Sequence, residues 1–482
     1  MGDALAYRPP TLPRFAQELV TRDLCYSVHV DERLRELVLT TVVDNGSRAV
    51  CPSFGIDLAR VARHAVRARR RRYVQDALML AAWLLGLAMT GLAATRGWGT
   101  VSVLGAVAAV PVAFVALAGR VYGDLAAAID VGRGVKADAP ALDAETEARL
   151  AEVGQAKVVI YSTGENDPFI GSGRRLNNFQ LGPIDISEAG LDDNGDPKPL
   201  LPFTAVDLHT YLARNMPNMG ISGLTARNRL YARGDCVHLI PGLLPDKQRP
   251  PATTVHADLL KAGVLQPTEV ARTFLCVEHS IRGGDLVVCM YLRAWIEQDL
   301  LSVERLVYLL PPLLPRLRVD QDVLVSGRLA AVLKAVLEGA RWAPRALTFR
   351  PTPYTRPAKE RRANAKERRR AKREVRGGYR HDYGSRISVR EAVAAYDTTE
   401  FHEKSDVADI SRRLQYAFLN HVEKFLDDHG VELSRFRDQV KIINRYDIGT
   451  LQGGNVVIGG EGNLISGHGQ VNTPPSPPQQ NP

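Results

Sequence analysis

The chain has 482 residues, of which 45% are hydrophobic and 24% charged, and this composition excludes a wholly disordered or collagen-like polymer. Its 62 Lys and Arg residues outnumber its 53 Asp and Glu residues, which gives a formal net charge of +9. The five cysteines are scattered, and no two form a C-x-x-C pair. They exclude a disulfide scaffold and a zinc ribbon, and we expect reduced thiols packed in the core.

The first part of the chain, residues 1–73, is predicted to be helical and cytoplasmic. Apolar residues at helical spacing indicate one helix over Asp31–Val43. A second helix is expected to begin near Ile56 and to continue into a run of seven arginines between Arg60 and Arg72. This run contains no acidic residue.

Two uncharged stretches follow, with 18 residues in Ala77–Ala94 and 19 residues in Val101–Gly119. Each approaches the ~20 residues that a helix needs to cross the hydrocarbon of a bilayer. We therefore predict a transmembrane helical hairpin over residues 74–124. The alternative is a pair of core helices in a soluble domain, but such helices normally carry a polar face. Small residues recur every fourth position in both stretches, so the hairpin could close on itself or associate with a second copy.

The orientation of the hairpin follows from the charges at its ends. Arginines accumulate before the first span, whereas the connecting turn contains only Arg96, and positive residues favour the cytoplasmic side. We therefore expect a multi-pass protein of the plasma membrane with both termini in the cytoplasm. The residues that determine this topology are five arginines and a tryptophan suited to the headgroup layer: Arg67, Arg69, Arg70, Arg71, Arg72 and Trp98.

Beyond the hairpin, residues 125–155 are acidic and rich in alanine and are predicted to form an exposed helix or a linker. A cytoplasmic α+β domain is expected over residues 156–345. It begins with a β-branched strand at Lys157–Ser162 and continues through a loop of Gly, Asn, Asp and Pro residues as far as Pro202. Thr204 then caps a helix.

Two β-hairpins are predicted in this domain. The first uses the strand Leu224–Ala232 and turns at residues 233–235. The second pairs Arg272–Ser280 with Leu286–Trp295 through a Gly-Gly turn. The alternation of side chains in the second hairpin predicts one buried face and one partly wet face.

A basic linker is predicted over residues 346–385. Its stretch 356–380 contains 12 Lys and Arg residues and three Glu residues, so it accounts for the whole net charge of the chain. Three interpretations stay open: a solvated spacer, a segment that binds anionic lipid, and a segment that binds nucleic acid. The near absence of aromatic residues that could stack on bases disfavours nucleic acid.

A helical segment is predicted over residues 386–443. Ser388 and Glu391 have the spacing of a capping box, and a longer helix begins at Ser405 or Asp406 and ends at Gly430. This longer helix carries an apolar stripe, which could dock on the preceding domain or on the same helix of a second copy.

The tail, residues 444–482, contains an internal repeat before a disordered end rich in Pro and Gln. Such Asn and β-branched segments bounded by glycine could stack as cross-strands between copies, or they could form a flexible linker. The candidate assembly residues are Asn455, Val456, Val457, Ile458, Asn463, Leu464 and Ile465.

One stretch, residues 171–175, suggests an anion-binding loop, with Ser172, Arg174 and Arg175 as candidate residues. It matches neither the P-loop nor the dinucleotide-binding pattern, so a glycine turn with solvated arginines is the competing interpretation. The histidines and acidic residues show no metal-ligand spacing. We therefore predict no catalytic residue, no metal and no cofactor.

Several stretches together resemble a family of uncharacterised two-pass membrane proteins from actinobacteria. These stretches are Arg48–Leu58, Pro168–Gly173, Gly283–Val288, Leu310–Leu313 and Asn444–Gly459. The resemblance covers most of the chain but implies no reaction, because the family has none assigned. The tail is also similar to the RHIM-like motifs of bacterial amyloid signalling.

The sequence thus predicts an α+β fold on a transmembrane hairpin, and a membrane-tethered protein of interaction or assembly. Its expected partners are the lipid bilayer, anionic lipid at residues 356–380, and a second copy through the hairpin or the C-terminal segment. The first alternative is a membrane-bound enzyme or ligand-binding protein that acts on an anionic, phosphate-bearing or lipid substrate near residues 171–175. The second is nucleic-acid binding by the basic segment.

Overall fold

The structure of the protein is a computed structural model. It describes residues 18–45, 47–97, 99–133, 139–164, 167–319, 329–341, 362, 365–366, 369–370, 373–377, 381–396 and 401–452. Helices and strands are both well represented in these ranges, so the predicted α+β class is confirmed. Trp98, most of the basic stretch 356–380 and the whole repeat of the tail lie outside the described residues.

Six strands form one mixed sheet in the order β1-β3-β4-β5-β6-β2. The short edge strand β1 pairs parallel with β3, and the other neighbours are antiparallel. The strands are β1 Val158–Tyr161, β2 Arg174–Asp185, β3 Leu224–Arg233, β4 Ala271–Ile281, β5 Leu286–Glu297 and β6 Leu300–Leu310.

The predicted hairpin of β4 and β5 is confirmed, with Leu275 opposite Leu292 and Ile281 opposite Leu286. Its turn is tight, because Gly284 has a φ of +93° and a Cβ at this position would collide with the carbonyl oxygen of Gly55.

The other predicted hairpin is wrong. After β3 the chain forms a short helical turn and helix α7 (Ala257–Leu265), and it returns as β4, which is the antiparallel partner of β3. The predicted loop as far as Pro202 is also wrong in part, since it contains β2. This strand is polar and pairs only with the distant β6, so no local pattern reveals it.

Both faces of the sheet are covered, which corrects the prediction of a partly wet face. One face packs against helices α6 (Ala205–Asn215), α9 (Phe401–Asp428) and α10 (Ser434–Gln452). The other carries a cluster of aromatic side chains and two thiols: Phe54, Phe169, Tyr231, Phe274, Cys276, Cys289, Tyr291 and Tyr308. The segments that cover this second face come from far away in the sequence, which is why alternation within one hairpin could not predict them.

The apolar stripe of α9 docks on the preceding domain, so the first of the two predicted alternatives is confirmed. Leu414, Phe418, Val422 and Phe425 are buried in the same core as the strand residues Leu275 and Val288. The helix ends at Asp428, two residues before the predicted end at Gly430, whose φ of +76° turns the chain away from the helix.

The two predicted helix caps have different outcomes. Thr204 forms a full capping box with Asp207. Ser388 makes no capping hydrogen bond and begins only the single turn Val389–Ala392, because the Glu391 carboxylate accepts a hydrogen bond from the Gly171 N–H instead.

A helical bundle precedes the sheet. It contains α1 (Leu19–Val30), α2 (Glu32–Val38, extended by a π-helical turn to Val43), the long helices α3 (Leu58–Thr95) and α4 (Gly99–Gly132), and α5 (Ala144–Gly154). Its core also includes residues from later in the chain, among them Leu313, Leu317, Val389 and Val393. Helix α1 was not predicted, although Val20, Leu24 and Val28 repeat every fourth residue.

Helices α3 and α4 form a hairpin in which small residues face each other. A Cβ at Gly86 would lie 3.6 Å from the Cβ of Ala109, and Ala93, Ala109 and Ala113 are buried. Among the described residues, one segment, Ala109–Gly132, has the length and apolarity of a membrane span, with 24 residues and a mean hydropathy of 1.6. The two-pass topology therefore stays a prediction.

Candidate functional site

A cleft of about 240 Å³ opens beside the aromatic face of the sheet. Its two walls are the loop before β2 and the segment around the one-turn helix Val389–Ala392. The lining residues are Asp167, Phe169, Ile170, Gly173, Arg386, Ile387, Ser388, Glu391 and Ala392. The loop wall overlaps the predicted anion-binding stretch at Gly173, but Ser172, Arg174 and Arg175 are not among the lining residues. Sequence reasoning did not identify the second wall as part of a site.

The glycines of the loop are required by close packing. Gly171 has a φ of +92°, and a Cβ there would lie 2.7 Å from the carbonyl oxygen of Pro52. Gly173 has a φ of +83°, and a Cβ there would collide with the backbone of Leu309 and Leu310. The loop therefore lies against the chain on two sides, and its N–H at Gly171 is already donated to Glu391 at 2.7 Å.

The structure separates the three predicted anion-binding residues. Ser172 is fully buried, and its hydroxyl lies 2.5 Å from the Tyr291 hydroxyl, inside the core. Arg175 is exposed on the edge strand β2. Arg174 lies over the ring of Tyr396 at 5.4 Å, and its Nη1 is buried without a hydrogen-bond partner among the described residues.

The carboxylates of the cleft are engaged by the protein itself. Asp167 accepts hydrogen bonds from the Tyr308 hydroxyl at 2.7 Å and from the Phe169 N–H at 3.0 Å. Burial and the Asp167 charge raise the pKa of Tyr308 well above its usual value. Burial, with the Glu391 charge, raises the pKa of Tyr396 to about 12. Both phenols therefore stay protonated at neutral pH, and the Tyr308 hydroxyl serves as a hydrogen-bond donor to Asp167.

The thiols behind the cleft are not activated. Burial raises the pKa of Cys51, which lies beside Gly171, and also the pKa of Cys276 and Cys289. The thiolate is the reactive form of cysteine, so these groups are inert packing residues. All five cysteines are buried and free, as predicted.

A buried ion pair supports the sheet near these thiols. Arg229 on β3 lies 2.6 Å from Glu278 on β4, and its guanidinium also lies 3.7 Å from the Cys276 Sγ. Arg229 was not identified from the sequence, although it stands next to Leu230 and Tyr231 in a strand that is otherwise largely apolar at this end. Removing one partner of such a pair leaves a buried charge, so its role is structural.

The predicted topology arginines form a second site, at the base of the α3–α4 hairpin. Arg69 pairs with Asp44 at 2.7 Å, and Arg72 pairs with Glu32. Arg71 donates to the His29 Nδ1 at 2.7 Å and to the Gly123 carbonyl oxygen.

Two further arginines of this group differ from those three. Arg70 is exposed, and Arg67 is half-buried near His29. Several of the arginines thus fasten α3 to α1, α2 and the loop that follows, in addition to any role in orientation.

The His29 ring at this base is also held in one tautomer. Because its Nδ1 accepts from Arg71, its Nε2 donates to the His64 Nδ1 at 3.1 Å. Burial and the Arg71 charge lower the pKa of His29 well below its usual value.

Within the described residues there is no group of three or more His, Cys, Asp or Glu side chains that could hold a metal ion. In the acidic turn at Asp192, the carboxylate is already used within the turn. It accepts hydrogen bonds from the N–H groups of Asn194 and Asp196.

Comparison with known proteins adds one result. The chain matches the family model of the AbeC-like domain over residues 182–464. Searches among curated proteins and among solved structures gave no match. The matched range contains the sheet from the end of β2 onward and one wall of the cleft, but neither the loop 167–173 nor the α3–α4 hairpin.

This match agrees with the predicted resemblance to a protein family. It does not address the two-pass topology, an actinobacterial source or the RHIM-like tail, which stay predictions. The matched residues make up more than half of the 482, and the chain therefore belongs to the AbeC-like domain family.

Proposed function

We propose that the protein is an interaction or assembly protein anchored in a membrane by the α3–α4 hairpin, with its sheet and bundle on the cytoplasmic side. The observation that carries this proposal is the apolar surface of the hairpin beyond the arginines. It contains the exposed side chains Leu80, Leu84, Leu87, Leu92, Val112 and Val115.

Such a surface is unfavourable in water. Soluble proteins rarely expose contiguous apolar patches of this kind, whereas the hydrocarbon of a bilayer solvates them. The candidate span Ala109–Gly132 lies in the same hairpin. The polar and charged contacts of Arg69, Arg71 and Arg72 lie at the opposite end, where α3 enters the bundle. This division into a charged base and an apolar tip is typical of an anchored protein.

The proposal places the basic residues on the cytoplasmic side. Arg67, Arg70 and the predicted basic linker would then face anionic headgroups. Each basic residue near the surface would add about 1 kcal/mol to membrane binding. Assembly would depend on the C-terminal tail or on a second hairpin, since α9 already uses its apolar stripe within its own domain.

We predict that alkaline carbonate leaves the full-length protein in the membrane pellet. Replacing the three exposed leucines Leu80, Leu84 and Leu87 by lysine should release it or prevent its accumulation, because each charge in hydrocarbon costs about 2.5–3.5 kcal/mol. The matched control replaces Leu191 and Leu239, which are equally exposed but lie on the body, and should stay in the pellet. Release of the wild-type chain by carbonate would contradict the anchor.

Orientation is tested separately with single cysteines at either terminus, because the native thiols are buried. A membrane-impermeant maleimide should label neither terminus in intact cells and both in opened cells. Labelling in intact cells would overturn the cytoplasmic orientation while leaving the anchor in place.

The cleft favours a second candidate function, the binding of a small anionic ligand. Arg386 lines the cleft, and Arg174 follows the lining residue Gly173 with one nitrogen that lacks a partner among the described residues. A phosphate oxygen is a ligand of the right charge for these guanidinium groups. Asp167 and Glu391 limit the negative charge that the cleft accepts.

We predict that inorganic phosphate raises the thermal unfolding midpoint of the detergent-solubilised protein. Arg174→Gln should abolish the shift, and Arg175→Gln should keep it, because Arg175 is the neighbouring arginine on the exposed edge. No shift in the wild-type protein, or equal shifts in all three, would rule out this site.

A further inference from the structure

Helix α8, residues 329–341, has two faces of opposite kinds. Ala331, Ala335 and Gly339 are spaced four residues apart and are buried. The remaining surface carries large apolar side chains, with exposed fractions of 84% for Leu329, 61% for Leu333 and 61% for Leu337, and it also includes Val332 and Val336. Such a surface over about three helical turns is unusual for a protein in water.

The small face of α8 lies against α4. A Cβ at Gly339 would lie 2.9 Å from the Ala118 Cβ and 3.1 Å from the Phe114 ring, and Ala331 packs with Leu125 and Ile129. The first part of α8 therefore contacts the part of α4 nearer the bundle, and its last turn contacts the part nearer the hairpin tip. The two helices run side by side in opposite directions.

This position brings the last turns of α8, which carry Leu337, to the level of the proposed membrane boundary. Leu333 lies near the level of the charged base, where the Gly123 carbonyl oxygen accepts from Arg71. Phe114 and Ala118 lie within both the predicted span Val101–Gly119 and the candidate span Ala109–Gly132. Val112 and Val115 of the same helix are exposed close by, so the apolar surface of the hairpin continues onto α8. Lys334 and Arg341 are exposed on α8 and could reach the headgroups with their long side chains.

We propose that α8 is an interfacial helix that places its Leu333 and Leu337 side chains at the headgroup boundary of the cytoplasmic leaflet beside α4. At 13 residues it is about 20 Å long, too short to cross the ~30 Å of hydrocarbon. Because it runs antiparallel to α4, its last turn lies in the interfacial part of the leaflet, and its first turn lies toward the bundle. The occupant of this face is lipid, and the inference rests on the proposed anchoring of the α3–α4 hairpin.

The test uses the full-length protein reconstituted into vesicles of phosphatidylcholine and phosphatidylglycerol, with one environment-sensitive fluorophore on an engineered cysteine. Leu333→Cys reports on α8, Leu84→Cys reports on the hairpin, and Leu239→Cys reports on the body. Because the native cysteines are buried, the label is confined to the engineered site. Lipids with a spin label near the headgroup should quench the Leu333→Cys probe, lipids labelled along the acyl chain should quench the Leu84→Cys probe, and neither should quench the Leu239→Cys probe.

The outcomes separate the two proposals. Quenching at Leu84→Cys without quenching at Leu333→Cys would overturn the interfacial helix and leave the anchor intact. No quenching at either position would overturn both. Disulfide-linked dimers of the unlabelled Leu333→Cys chain, formed in the vesicles with an added oxidant, together with shielding of the probe in the labelled chain, would show that a second copy covers this face. That result would also overturn the proposal.

Discussion

At the scale of single residues, buried histidines make the stability of the fold depend on pH. His209 on α6 donates from Nδ1 to the Asn228 side-chain oxygen at 3.0 Å and accepts at Nε2 from the Ala294 N–H at 3.1 Å. Both ring nitrogens are therefore used in the neutral form. Burial, with a smaller effect of the Arg293 charge, lowers the pKa of His209 to about 4. Protonation would place a second N–H against the Ala294 N–H.

We predict that the free energy of unfolding falls as the pH decreases from 6.5 toward 4. The unfolded chain takes up the proton near its usual value of 6.5, whereas the folded chain resists protonation until about pH 4. The stabilisation that neutral His209 provides is thus complete above pH 6.5. It is lost on acidification, and the total loss is about 3 kcal/mol.

The measurement is the denaturation midpoint between about pH 7.5 and pH 5. His209→Gln, which does not titrate, is expected to be less stable at neutral pH but to lose less stability on acidification than the wild type. His29, His279 and His421, whose pKa values are also lowered, contribute to the remaining dependence. An identical pH dependence in both proteins would exclude His209 as a contributor.

At the scale of elements, the docked helix α9 is the best-defined contribution to the main core. Phe418 is fully buried and faces Phe179 of β2, with ring centroids 6.4 Å apart. Tyr416, two residues earlier, is 67% exposed on the other side of the helix. The helix therefore offers a core aromatic residue and a surface aromatic residue within one turn.

We predict that Phe418→Ala destabilises the protein by about 3–5 kcal/mol, because it removes a buried ring and leaves a cavity. Tyr416→Ala should change stability by no more than about 0.5 kcal/mol. Chemical denaturation of the two variants in the same detergent checks this prediction. Equal effects would mean that α9 is not docked as described.

Local sequence patterns predicted the strands whose pairing partners are near in sequence and the helices whose apolar residues form a clear stripe. The β4–β5 hairpin and the helix from Phe401 to Asp428 belong to this class. Strand β2 was not predicted because its residues are polar and its partner β6 lies more than 100 residues away. The first predicted hairpin failed for a different reason, since the turn residues after β3 lead into α7 before the chain returns as β4.

At the scale of the whole molecule, sequence reasoning could not predict which distant segments meet. The core of the N-terminal bundle includes Leu313 and Val389, and the two walls of the cleft are separated by more than 200 residues. The loop drew attention in the sequence because glycines lie in it and two arginines follow it, but only Gly173 of the predicted stretch lines the cleft. The second wall carries Ser388 and Glu391, which local spacing assigned to a helix cap, whereas the tertiary fold directs Glu391 to the Gly171 N–H.

One further consequence follows from the continuity of α3. The helix runs for 38 residues without a break, from the bundle to the tip of the hairpin, a length of about 57 Å. A stiff rod of this kind has no hinge between its inner and outer halves. If the hairpin is anchored as proposed, a change of bilayer thickness that tilts the outer half must also swing the inner half against α1, so the bundle would respond to the mechanical state of the membrane.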